Sequence, residues 1–313
     1  MSEEPSDLPE AAHRRLNEGS FSSGLSVSDF AACLDMGLEP VGLVQGFCAM
    51  RWGAVSMSGM GGGVGGGLGG GLGAALGGAL TPFAGAPGGY VQNYQCPHGM
   101  VSAEHRAWGQ NYQQIWIEDA WRTGFNSAYS RMMHEAQALG AHGVVGVLDS
   151  ENPLSDTGVV EFHLRGTAVR LVDASAPSES PWSTFLAGQR LAKVFEAGYA
   201  PVSIVTAVAS VRVWAYCVTE YLMEGTGGVW STSPAAAEIV QIVDAQSTVR
   251  EAVRARVRSS LHGDSLHGAH LEVSTREFAK GDLELQSRLS GNRVRRFKDF
   301  DPVALPRATV RLS

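Results

Sequence analysis

The sequence predicts an α+β fold made of two β-α-β-β units in tandem, with a glycine-rich insertion in the first. Three observations carry this. A chain of 313 residues with 44% apolar residues suits about two domains with ordinary cores. Gly37 to Gly46 (GLEPVGLVQG) matches Gly198 to Ala207 (GYAPVSIVTA), an offset of 161 residues. After each match comes a long stretch of helical period and then two strand-like runs.

Taken in order, residues 1–20 form a polar tail, disordered by composition, with no apolar core of a secretory signal. Ser28 to Met36 reads as a short lead-in helix, and Gly37 to Gly46 as a turn entering a buried strand. A long helix runs from about Ile117 to Leu139. Its apolar residues Ile117, Trp121, Phe125, Ala128, Met132, Ala136 and Leu139 recur in steps of four and three on one face. Gly140 is placed to end that helix as its C′ residue. Gly143 to Leu148 and Val159 to Val172 follow as strands around a polar turn at Ser150 to Gly158. Glu161, His163 and Arg165 alternate as on a half-exposed strand.

The linker at 173–181 is rich in Ser, Ala and Pro, which separates a first unit at 21–172 from a second at 182–300. The second unit repeats the order: a lead-in helix at Ala187 to Ala197, the strand at 198–207, and a helix from about Ile239 to Leu261 carrying Val249, Val253, Val257 and Leu261 on one face. Strands at Ala269 to Thr275 and Glu284 to Phe297 follow, with Gly291 answering Gly166. Gly140-Ala141-His142 pairs with Gly268-Ala269-His270 in this reading. Residues 301–313 form a C-terminal tail.

Net charge is −7, with 24 Lys and Arg against 31 Asp and Glu, so a general nucleic-acid binder is excluded. The halves differ: residues 1–172 hold 16 acids and 8 bases, residues 173–313 hold 15 acids and 16 bases. Arg250, Arg254, Arg256, Arg258, Arg288, Arg293, Arg295, Arg296 and Lys298 make the second unit locally basic. They form a solvated face or meet an acidic partner or an anionic surface. Cys33, Cys48, Cys96 and Cys217 show no close pairing, so neither a disulfide framework nor a zinc knuckle is written, and a reducing cytoplasmic setting fits. Cys33, Cys48 and Cys217 lie in apolar surroundings and read as core residues.

The insertion at 59–89 includes Gly61 to Leu80, with large apolar residues at Val64, Leu68, Leu72, Leu76 and Leu80. Spacing by four with small residues between is the pattern of close-packed helices in membranes. In water so much glycine resists helix formation, and the segment reads as a low-complexity loop. Membrane association or self-assembly through the tract is the alternative. Its many G-x-G-x-x-G matches lack a following Gly-Lys-Ser/Thr and carry no nucleotide reading.

Two clusters are candidate metal ligands. His262, Asp264, His267 and His270 offer three imidazoles and a carboxylate to a divalent ion; read structurally, the histidines instead neighbour the carbonyl end of a helix. Cys96 and His98, with His105 seven residues beyond, offer a softer set. The sequence shows no G-x-S-x-G, no H-E-x-x-H and no thiol-protease signature, so it points to no enzyme. Trp108, Trp116, Trp121, Phe125 and Tyr129 surround the first long helix and read as core or interface residues.

The run from Ala136 to Gly146 (AQALGAHGVVG) with Gly166-Thr167-Ala168-Val169 resembles the YbjQ-like family, labelled as heavy-metal-binding. The resemblance is strong over about 37–172 and diverged over 198–298. It implies a dodecin-like β-α-β-β subunit that self-associates into a five-membered ring without established chemistry. A flavin-like ligand held between aromatic residues at a subunit boundary is a further implication. A lone three-stranded sheet with one helix leaves open edges for neighbours to cover, which agrees with an oligomer.

Overall fold

The computed structural model describes residues 21–51, 110–154, 159–172, 180–215, 238–279 and 282–298. In chain order the elements are α1 (Val27–Asp35), β1 (Leu38–Arg51), β2 (Asn111–Gln113), α2 (Ile115–Ala138), β3 (Gly143–Leu154), β4 (Val159–Leu171), β5 (Trp182–Ser183), α3 (Gly188–Glu196), β6 (Tyr199–Val213), α4 (Val240–Ser260), β7 (Ser265–Ala279) and β8 (Asp282–Arg296). The architecture is mixed α+β, with two four-stranded sheets of order β1-β4-β3-β5 and β2-β6-β8-β7.

The two sheets repeat one connectivity. In each, a short helix leads into a long strand, a long helix crosses, and a hairpin returns so that its second strand lies beside the first. Equivalent registers make the repeat specific: Gly166 stands opposite Val44, and Gly291 opposite Val205. Bulges recur too, after Pro40 and after Pro201.

α2 forms because its apolar residues meet the sheet. Trp121, Phe125, Ala128, Met132 and Ala136 are buried with Val44, Phe162 and Leu164, and Leu139 packs at the margin. Trp121 stacks on Phe125 at 5.0 Å and meets Phe162 edge-on at 5.7 Å. α4 does the same in the second sheet with Ala245, Val249, Val253 and Val257 against Val205, Ala209 and Leu285. Gly46 permits the closest approach in the first layer, since a Cβ there would lie 1.8 Å from the Ala128 carbonyl oxygen.

Several expectations are corrected. β3 continues to Leu154, through what reads as a turn, because its partner β4 continues with it to Val159. β2 was not foreseen: three residues before α2 cross to the second sheet and pair with Val211 to Val213 of β6. The pairing of Gly140 with Gly268 also shifts. Gly146 and Gly268 both sit at bulges in the strand after the long helix, with φ of +59° and +62°, so they are the true equivalents. Gly140 answers His262 and Gly263 at the end of α4, where φ is likewise positive. The polar tails, most of the linker, the insertion at 59–89 and the Gly61 to Leu80 tract lie outside the described residues.

The cluster around α4 is built from the second half alone, while the other two clusters draw on both halves. Ile204 and Val208 of β6 are buried in the cluster built around α2, and Leu191 of α3 is buried with Cys33, Leu38, Val145 and Val169 of the first half. The mixed α+β architecture with two sheets stands as the sequence predicts, and the two units pack against each other through these shared clusters.

Candidate assembly surface

The predicted metal ligands come first, since they were the sharpest chemical expectation. His262 occupies the left-handed turn after α4, at φ +49°, and His267 and His270 flank the bulge of β7. Leu266 and Leu271 pack on the core, so the two histidines of β7 turn outward and stay exposed. Asp264 is engaged by arginines: Arg293 Nε donates at 2.6 Å, Arg295 Nε at 3.1 Å and Arg295 Nη2 at 3.2 Å. The Arg295 hydrogen bonds, followed by Arg293, hold the Asp264 carboxyl below the usual carboxylate range. Among the described residues, no group of three or more His, Cys, Asp or Glu is placed to hold a metal ion. The quartet does not assemble because a strand bulge separates its last two members and guanidinium groups occupy its acid. Cys96, His98 and His105 lie outside the described residues.

The basic face is also smaller than its composition. Arg256 pairs with Glu118, Arg288 with Asp149 and Glu151, and Arg293 and Arg295 with Asp264. Sequence spacing could not show this, because three of these five pairs cross between the halves.

Glu118 is the center of the junction between the halves. It is buried at the start of α2 and accepts from the Ser210 backbone N–H at 2.9 Å, from Gln113 Nε2 at 3.1 Å and from Arg256. Beside it, Ser210 Oγ donates to Gln114 Oε1 at 2.8 Å. A cleft of about 420 Å³ between α2 and α4 opens over these groups. Its acids are already partnered, Glu118 as above and Asp119 by Arg122 at 2.9 Å, so the arrangement binds helix to sheet and offers no poised base. The stacked rings of Trp121, Phe125 and Tyr129 pack on the core side of α2 and also line this cleft.

Two long strands, β1 and β7, have no further strand on their outer side among the described residues. β7 closes one side of the second sheet, spans 15 residues, and has no strand beside it among the described residues. Its outer backbone groups are a template for another chain. The corresponding strand β3 has its edge covered by residues 182–187. Large apolar side chains are also exposed on and beside α1: Phe21 is 56% exposed, Val27 90% and Leu34 50%. Among the described residues, no helix is long and apolar enough to cross a membrane.

The fold and these surfaces thus define, among the described residues, a mixed α+β molecule with two long edge strands, β1 and β7, and an apolar helix face, and without an assembled metal site. Comparison with known proteins gives one relative of nearly matching extent. The chain is 26% identical over 301 residues to the Encapsulin nanocompartment protein Rv1762c of Mycobacterium tuberculosis, covering 93% of this chain and 92% of that protein. No protein-family model matches the chain, and no solved structure matches it.

These findings overturn the YbjQ-like resemblance and, with it, the heavy-metal-binding label. The physical reason lies in the signature itself. Gly140 and Gly146 are positions of positive φ, a helix end and a bulge, and the Ala and Val between them are buried. A β-α-β-β connection asks for those residue types on its own.

Proposed function

We propose that this chain is a non-catalytic structural component of a protein nanocompartment, acting through self-association. The observation that carries the reading is the end-to-end likeness to a nanocompartment protein, which takes in both sheets instead of a single module. The surfaces agree with it. A 15-residue strand edge and exposed apolar side chains on a chain of net charge −7 are features that copies of one chain can cover for each other. The buried polar groups between the halves fix one geometry, as a subunit that must present its edges reproducibly requires.

The test is size-exclusion chromatography with light scattering on the untagged protein, followed by electron microscopy of the leading peak. The reading expects a discrete assembly many times the 33.1 kDa chain mass, seen as closed particles. A single-chain species at every concentration, or amorphous aggregate alone, would overturn it.

A further inference from the structure

The junction between the two halves contains a template for the junction between copies. Residues 182–187 (WSTFLA) run along the edge of β3. Trp182 N–H donates to the His142 carbonyl at 3.1 Å and Thr184 N–H to Val144 at 2.9 Å. The bulge returns two bonds, Gly146 N–H to Leu186 at 2.9 Å and Val147 N–H to Thr184 at 3.0 Å. The same segment is anchored to its own sheet, where Thr184 Oγ1 donates to Asn292 Oδ1 at 2.8 Å and Phe185 N–H donates to it at 2.8 Å.

Residues 21–26 (FSSGLS) occupy the equivalent place in the first half, 161 positions earlier. They make the equivalent anchor: Ser23 Oγ bonds Thr167 Oγ1 at 3.3 Å, and Gly24 N–H donates to it at 3.1 Å. Thr167 and Asn292 are themselves equivalent, facing Leu43 and Ile204 in the two registers. So one segment, held in one way, appears twice. The second straps the β3 edge; the first has no strand edge beside it among the described residues, and the β7 edge has no strap.

The side chains divide the same way. In the first half, Cys33, Leu38, Val145 and Val169 are completed by Trp182, Leu186, Leu191 and Phe195 from the second. In the second half the equivalents, Val194, Tyr199, His267 and Val294, line an open groove of about 630 Å³ between α3 and β7. The residues equivalent to the missing filling are Phe21, Leu25, Phe30 and Leu34, on and beside α1, and Phe21 and Leu34 are half exposed. Charge agrees in sign: Arg190 and Lys193 line the groove, while α1 is acidic, with Asp35, with Asp29 against Gly188 of its own chain, and with no base.

We infer that copies of this chain join head to tail, with residues 21–26 and α1 of one copy seated on β7 and α3 of the next, in the register of the intrachain junction. Phe21 and Ser23 N–H donate to the Asp264 and Leu266 carbonyls, and Gly268 and Ala269 N–H donate to Leu25 and Ser23. One difference is built in. Val27 stands where Gly188 lies against Asp29, and its counterpart across the new junction is Arg190, whose long side chain can swing aside. Such an interface is heterologous, so it propagates into a ring or a larger array and not a closed dimer. The inference rests on the reading that the chain self-associates.

The test is a cysteine pair in the full chain. Trp182 faces Gly143 in the intrachain register, so Phe21→Cys with Ser265→Cys places the two thiols in neighbouring copies. Mild oxidation of the double variant should yield a reducible ladder of two, three and more chains. Each single variant, with the native cysteines present, should give no ladder. In parallel, Phe21→Asp and His267→Asp, both at exposed positions, should each raise the concentration for half-assembly by about tenfold or more, with circular dichroism unchanged. A double variant that ladders no more than the singles, with both aspartate variants assembling like the parent, would overturn the head-to-tail junction while leaving self-association standing. A parent chain that stays single would overturn both.

Discussion

At the scale of residues, the fold depends on a few contacts whose replacement has a calculable sense. Gly46 lets β1 touch α2 backbone to backbone, so Gly46→Ala should destabilise by at least the upper part of about 1–3 kcal/mol in urea unfolding, because a carbonyl cannot rotate away as a side chain would. Glu118 is buried with three donors upon it. Glu118→Ala strands Arg256 and the Ser210 N–H and should cost about 3–5 kcal/mol, whereas replacing Glu118 and Arg256 together by apolar residues should cost much less. Two acids respond oppositely to pH. Asp264 is lowered by Arg295 and Arg293, so its contribution is present above the unfolded value near 3.9 and is lost as pH falls through the folded one. Asp264→Asn should therefore be less stable than the parent at pH 7, with the gap narrowing as pH falls below the usual carboxylate range. Burial raises Glu151 despite Arg288, which favours its neutral form in the fold. Its contribution is present at low pH and lost as pH rises through the folded value, so Glu151→Gln should gain stability at pH 7 and lose that advantage near pH 3. Thermal melts of each variant at the paired pH values check both signs.

At the scale of elements, the long helices were legible because a single apolar face decides them: α2 and α4 lie within two residues of the spans that the spacing predicts. The lead-in helices were legible for the same reason. β2 and β5 were not, since strands of three and two residues have no period to read and exist only through what lies beside them. The strap did leave a signal that the sequence reading passed over: WSTFLA and FSSGLS share an aromatic, a serine, a hydroxyl residue and a leucine at the duplication offset. The metal clusters were the opposite case, residue types with affinity but no geometry, because nearness along a strand separates side chains instead of gathering them. An element-scale prediction follows from the strap. Asn292→Ala removes the acceptor for Thr184 Oγ1 and the Phe185 N–H, and should lower stability by about 1–3 kcal/mol. Hydrogen exchange should quicken at Gly146 and Val147, whose N–H groups the strap covers, before it changes in α4.

At the scale of the whole molecule, the two halves are joined by a shared core, by Glu118 with Arg256 and by the strap, and the same set of surfaces is left open at the two ends. That a duplicated chain covers one edge internally and exposes the equivalent edge is the basis for reading it as an assembling subunit. The pairing of ends could not be read from composition, since it depends on which of two equivalent edges the linker happens to serve. The central claim is self-association, and native mass spectrometry of the untagged full chain tests it most directly. Self-association predicts masses at an integral multiple of 33.1 kDa with little single-chain species at micromolar concentration. A spectrum dominated by the 33.1 kDa chain under the same gentle conditions would contradict it.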